Sequence, residues 1–248
     1  MHLPEIDRYG YGESPLHRLD PRLKLLALGL LLLATNLVRE IRGALGALGG
    51  ALLLTLLSGL PLRFLLWHLK APMSLALLLA LGLAFFTPGI HLLGPLTLQG
   101  LLLGGTVFLK VLACFLYFLA LVATSPLFQT LRAARSLGLP EKLLALLIFT
   151  YRYLFVLLDR ARNLALAMQA RGFREGTNLR TYRTKARLYA FLLLHAYENT
   201  ERILLAMQAR GFSSPRVPAL PPLSRREILR GFPLFLWAFT LLGIGFLW

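Results

Sequence analysis

The sequence contains a single cysteine, Cys114, set in an apolar stretch. One thiol excludes an internal disulfide and any cysteine-based metal cluster, so Cys114 is read as packing. Acidic residues are scarce, 11 Asp and Glu against 27 Lys and Arg in 248 residues. Charge of either sign makes up only 15% of a chain that is 57% hydrophobic. With a mean hydropathy of +0.66, this is too apolar for a soluble domain of such size and implies a chain that lives in a bilayer. No G-x-x-x-x-G-K-[ST] phosphate loop is present, so the chain cannot bind ATP in that manner. An intramembrane enzyme needs a Ser–His pair, two carboxylates or H-E-x-x-H within the spans, and none is found: Ser58, Ser74 and Ser125 fall at span ends or interfaces. That leaves catalysis a remote reading, with no catalytic residue to name. The histidines, His2, His17, His68, His91 and His195, are scattered without i, i+3 or i+4 pairing and with no carboxylate cluster, so no metal site is expected. No cleavable signal peptide is visible either, because the first twenty residues carry Pro4, Pro15 and four acidic groups in place of an apolar run.

The formal net charge is +16, and it is concentrated. Residues 125–231 hold 18 Lys and Arg against 6 Asp and Glu. Such a block also suits nucleic acid, but it lacks the aromatic interleaving of a strand-binding surface, and cytoplasmic loops of polytopic proteins are rich in base for reasons of topology. No nucleic-acid partner is therefore expected; the solvent is lipid.

Apolar runs give about five spans. Asp20-Pro21 is an N-cap followed by a first-turn proline, with Arg22 and Lys24 placed to snorkel toward head groups, and the first span runs from Leu23 to Val38. The second, Gly43 to Leu60, carries Gly46 and Gly50, a small-xxx-small pair that allows close packing. Pro61 to Lys70, with Arg63, Trp67 and His68, reads as an interfacial turn. The third span, Ala71 to Leu93, is broken late by Pro88-Gly89, and the fourth runs from Leu96 to Thr124. Lys110 lies near the middle of the fourth. A charge there costs a few kcal/mol on insertion scales, and no acid in the first four spans can pair it, which leaves snorkelling, a local irregularity or an ion path as readings. Phe232 to Trp248 makes the fifth span. Placing the basic block inside puts the N-terminus in the cytoplasm and the C-terminus outside. The chain thus divides into an N-terminal tail with four spans (1–124), a cytoplasmic coupling-helix region (125–215), and a Pro-rich linker with the last span (216–248).

Within the cytoplasmic block, Ala167-Met168-Gln169-Ala170-Arg171-Gly172-Phe173 recurs unchanged at Ala206-Met207-Gln208-Ala209-Arg210-Gly211-Phe212, 39 residues later. Ala, Met, Gln and Arg propagate helix, and a Gly directly after them suits the left-handed C′ position. From Pro140 to Arg171 there is no further Pro or Gly, predicting a helix roughly 45 Å long, apolar through Leu158 and charged after Asp159. A second runs from about Tyr182 to Arg210. A cation at a helix C-terminus gains roughly 0.3–1 kcal/mol from the dipole, and this alone accounts for Arg171 and Arg210. It does not account for the matched Met, Gln and Phe, which suggest two matched sockets. Met168 and Met207 give adaptable contact surface or helix–helix core, and Phe173 and Phe212 would be the adjacent apolar anchors.

Together with Ile6-Asp7-Arg8-Tyr9, Ser14-Pro15-Leu16-His17, Asp20-Pro21-Arg22-Leu23-Lys24, the Leu137-Gly138-Leu139-Pro140 break and Tyr151-Arg152-Tyr153, these paired Ala-Arg-Gly ends give the chain its likeness. It resembles the transmembrane coupling (T) component of energy-coupling factor importers, most closely the cobalt/nickel branch, the CbiQ family. The resemblance implies an all-α polytopic membrane protein whose two signatures, Ala170-Arg171-Gly172-Phe173 and Ala209-Arg210-Gly211-Phe212, dock with Met168 and Met207 in grooves of two cytoplasmic ATPase subunits. It also implies that those partners bind the ATP, that this chain carries no cofactor, and that a separate membrane subunit captures the substrate, with a small accessory membrane subunit beside it. A shared T component of a vitamin importer has the same architecture and is the alternative.

Overall fold

The computed structural model of the chain describes residues 10–93, 96–212 and 220–247. Two compact units emerge, Met1–Leu137 with Leu220–Trp248 and Gly138–Ala219. Ile6 to Tyr9, His2, Pro215, Pro218 and Trp248 lie outside the described residues.

The first unit contains α1 (Pro21–Leu37), α2 (Ile41–Ser58), α3 (Leu62–Phe86), α4 (Leu98–Val122), α5 (Leu127–Ser136) and α8 (Arg225–Leu247). Helix α1 begins as its sequence dictates, with the Asp20 carboxylate accepting from the Arg22 amide at 2.7 Å and Pro21 in the first turn. Helices α2, α3, α4 and α8 are long and apolar enough to cross a membrane. The 17 residues of α1 span about 26 Å, short of a ~30 Å hydrocarbon core. A two-stranded antiparallel hairpin, β1 (His91–Leu93) with β2 (Leu96–Thr97), joins α3 to α4; otherwise the described elements are helical.

The core is built where α1, α2, α4 and α8 meet. Tyr117 on α4 is fully buried, donates to the Ala47 carbonyl on α2 at 2.8 Å, and accepts from the Trp237 indole on α8 at 3.0 Å. Gly50 makes room for that indole: a Cβ there would overlap Trp237, whereas one on Gly46 meets nothing within 4 Å. The Gly46/Gly50 pair therefore seats one side chain and does not form a helix–helix seam. The seam lies between α3 and α4, where a Cβ on Gly100 or Gly104 would stand 2.5 Å from the carbonyl oxygens of Leu83 and Ala80.

Three sequence expectations are corrected here. Lys24 does not snorkel. It is buried, and its ammonium spends all three donors on the end of α4: the Thr124 carbonyl at 3.0 Å, the Thr124 hydroxyl at 3.3 Å and the Ser125 hydroxyl at 2.7 Å. Pro61 to Lys70 is not a turn, because Pro61 is the N-cap of α3 and the helix continues through Pro72. Helix α8 starts seven residues before Phe232, at Arg225, where Glu227 supplies one half of a capping box, the Ser224 amide donating to its carboxylate at 2.8 Å. Lys110 reaches the last turn of α1, donating to the Asn36 carbonyl at 3.1 Å. A helix C-terminus presents such unclaimed carbonyls, and a cation is favoured there.

The second unit is a pair of long helices, α6 (Glu141–Ala170) and α7 (Leu179–Ala209), joined by the polar link 171–178.

Candidate functional site

Both copies of the repeated heptad end their helices in the same hydrogen-bonded cap. On α6, Arg171 is the C-cap residue, Gly172 has φ +78°, its amide donates to the Gln169 carbonyl at 2.9 Å, and the Phe173 amide donates to the Met168 carbonyl at 3.1 Å. On α7, Arg210 is the C-cap residue, Gly211 has φ +70°, and the two bonds recur from Gly211 to Gln208 at 2.9 Å and from Phe212 to Met207 at 3.0 Å. This is the Schellman arrangement, in which the residue after the glycine bonds back to the third residue from the helix end. It requires a left-handed residue, which explains both glycines.

The geometry also gives a local reason for part of the repeat. A Schellman cap favours an apolar pair between the residue after the glycine and the third or fourth residue from the helix end, and Phe173/Met168 and Phe212/Met207 occupy those places. The matched Met and Phe thus stand where the apolar pair of such a cap belongs, a place the sequence reading did not assign them. The arginines are left over from this account. Arg171 and Arg210 are exposed, and among the described residues neither guanidinium makes an ion pair or a hydrogen bond.

The surroundings distinguish the copies. Met168, Arg171, Gly172 and Phe173 line a cleft of about 630 Å³ between the end of α6 and the start of α7. Phe173 is half-buried, while Phe212 is 43% exposed. Ala170 and Ala209 close the last turns of their helices and are exposed. Beside the cleft, Lys185 on α7 donates to the Glu175 carboxylate of the link at 2.9 Å, and this bond raises the lysine pKa above its usual value. Among the described residues, no group of three or more His, Cys, Asp or Glu is placed to hold a metal ion.

Residues 12–219 match the CbiQ family, described as a cobalt transport protein. Among individual proteins, the chain is 31% identical over 226 residues to the energy-coupling factor transporter transmembrane protein EcfT of Listeria innocua, covering 84% of each chain. It is 28% identical to the EcfT of Streptococcus equi, covering 84% of this chain and 82% of the relative. The EcfT of Thermosediminibacter oceani is 26% identical, with 83% of each covered.

Proposed function

Because the chain belongs to the CbiQ family, we propose that it is the transmembrane coupling subunit of an energy-coupling factor importer, moved by ATP hydrolysis in partner subunits. The observation that carries this reading is the pair of identical caps, each presenting an exposed arginine with no partner among the described residues. A guanidinium offers five donors in a rigid fork suited to a carboxylate in a partner groove, and loss of such a buried pair typically costs about 2–5 kcal/mol. A Schellman cap fixes the backbone on which the fork stands, so movement of the socket is passed to the helix and not lost in fraying. Two helices seated in two separate ATPase subunits then shift as those subunits close and reopen, a rigid-body transmission to the membrane. The chain itself acts without catalysis, and a separate membrane subunit captures the substrate.

We assign cobalt or nickel as the cargo, supported by the family's description and by the N-terminal stretch Ile6-Asp7-Arg8-Tyr9. The alternative, a T component shared among vitamin-capture subunits, is favoured by the general transporter name that the relatives carry. The positive-inside distribution supports a cytoplasmic N-terminus. The test is uptake of labelled Co²⁺ or Ni²⁺ by cells carrying Arg171→Ala, Arg210→Ala or both, with membrane levels and co-purified ATPase subunits followed by immunoblot. Each substitution abolishes uptake and the double variant releases the ATPases while staying in the membrane. Uptake near wild type in the double variant refutes the coupling role, and wild-type uptake of a vitamin in place of either metal refutes the cargo.

A further inference from the structure

The cleft between α6 and α7 is more basic than coupling alone requires. Arg171, Arg174, Arg180 and Arg187 all line it, and no acidic residue does. Among the described residues none of these four guanidinium groups makes an ion pair or a side-chain hydrogen bond, and the neighbouring acid, Glu175, is taken by Lys185. The cleft also receives the start of α7. Its N-cap, Asn178, makes no side-chain capping bond, and the first backbone bond of the helix is from the Tyr182 amide to the Asn178 carbonyl, leaving the amides of residues 179–181 open. Thr181, in that first turn, lines the same cleft with 7% of its surface exposed, and its hydroxyl makes no hydrogen bond among the described residues.

Four unpaired, exposed guanidiniums lining one concave space beside a helix N-terminus concentrate positive charge and donors there, and anionic acceptor atoms fit that combination. One carboxylate supplies two oxygens and one charge, too little for this set. Adjacent phosphates supply several oxygens and two or more charges, in a geometry that arginine forks fit. The volume, about 630 Å³, falls within the range of small-molecule sites, roughly 300–1,000 Å³. The other side of the lining is apolar, with Phe173, Leu188 and Phe191 placed to take an organic moiety.

We propose that the α6–α7 cleft is a binding site for a soluble pyrophosphate-type anion, free or as part of a nucleotide, held by Arg174, Arg180, Arg187 and Thr181 with Arg171 at its edge. This goes beyond the coupling role and does not depend on it.

The experiment uses the full chain in nanodiscs of zwitterionic lipid, with equilibrium dialysis against labelled pyrophosphate, orthophosphate and ATP. Saturable binding of pyrophosphate or ATP is expected, with ATP tighter if the Phe side takes an organic group. Arg180→Gln and Arg187→Gln, which leave both repeated heptads intact, each weaken it by about ten- to hundredfold, the range for hydrogen bonds to a charged group. Arg202→Gln, on the same helix but outside the cleft, leaves it unchanged. Absence of saturable binding to the wild type overturns the proposal, as does equal weakening by Arg202→Gln. A third refuting outcome is retention on anionic vesicles that pyrophosphate does not compete, which would make the arginines a lipid-surface patch. Metal uptake by the Arg180→Gln variant separates this failure from failure of the coupling role.

Discussion

Gly46 and Gly50 lie four residues apart on one helix, and the structure requires opposite responses to the same substitution. An alanine at 50 places a methyl group on the Trp237 indole, 2.7 Å from Cζ2 and closer still to Nε1 and Cε2, so the ring must move by more than a few tenths of an ångström. Overpacking of this kind costs about 1–3 kcal/mol. The displaced indole also surrenders its bond to the Tyr117 hydroxyl, worth about 1 kcal/mol. Against this stands the gain from replacing glycine within a helix, about 0.5–1 kcal/mol. The net is a loss of roughly 1–3 kcal/mol, or about 2–12 °C in melting midpoint for a chain of this size. At Gly46 nothing lies within 4 Å of the added methyl, so only the favourable helix term remains and the midpoint stays level or rises. The assay is thermal unfolding in detergent, followed by tryptophan fluorescence. Equal shifts for Gly46→Ala and Gly50→Ala would refute the packing account of Tyr117 and Trp237.

Two further predictions concern the helix ends. Gly172→Ala and Gly211→Ala force a left-handed alanine and each cost about 1–2 kcal/mol of local stability, whereas Gly176→Ala, whose methyl meets nothing closer than 3.8 Å, costs little; hydrogen exchange in the last turns of α6 and α7 measures this, and protection unchanged in Gly172→Ala and Gly211→Ala would contradict the cap assignment. Lys24→Met leaves three acceptors at the end of α4 unserved and lowers stability by about 1–3 kcal/mol for each buried group left unpaired, while Lys110→Met, losing one exposed bond to Asn36, costs less; a reversed order in thermal unfolding would show that Lys24 is not the structural cation.

Much of the helical architecture is legible in the sequence because each sign is local. Asp20-Pro21 fixes the start of α1, and the run from Pro140 to Arg171 without Pro or Gly fixes α6 to within a residue at either end. The start of α8 is also written locally, as Ser224 followed at the third position by Glu227, a capping-box signal that the charged Arg225-Arg226 obscures when only apolar runs are sought. Pairings between distant segments were not legible. That Lys24 is buried depends on Thr124 and Ser125 a hundred residues away, and a hydropathy profile treats both lysines, 24 and 110, as misplaced charges. Gly100 and Gly104 share the spacing of Gly46 and Gly50, so spacing alone does not reveal which pair faces another backbone. At the candidate site, the duplicated heptad announces itself, and the glycine geometry follows from residue type. The cleft does not, because Arg174, Arg180 and Arg187 come to line one space only once the link brings the start of α7 to the end of α6.

The order of the units along the chain has a structural consequence. Residues 138–219 are an insert within the other unit and not an appendage, leaving it after α5 and rejoining it before α8. Two connections, in place of one, therefore join the insert to its host. Helix α1 packs against both α5 and α8, and Arg22 on it grips the Pro221 carbonyl at 3.0 Å, just ahead of the returning strand. The first helix thus touches both the element that precedes the insert and the segment that follows it, so a substitution on α1 reaches both ends of the insertion.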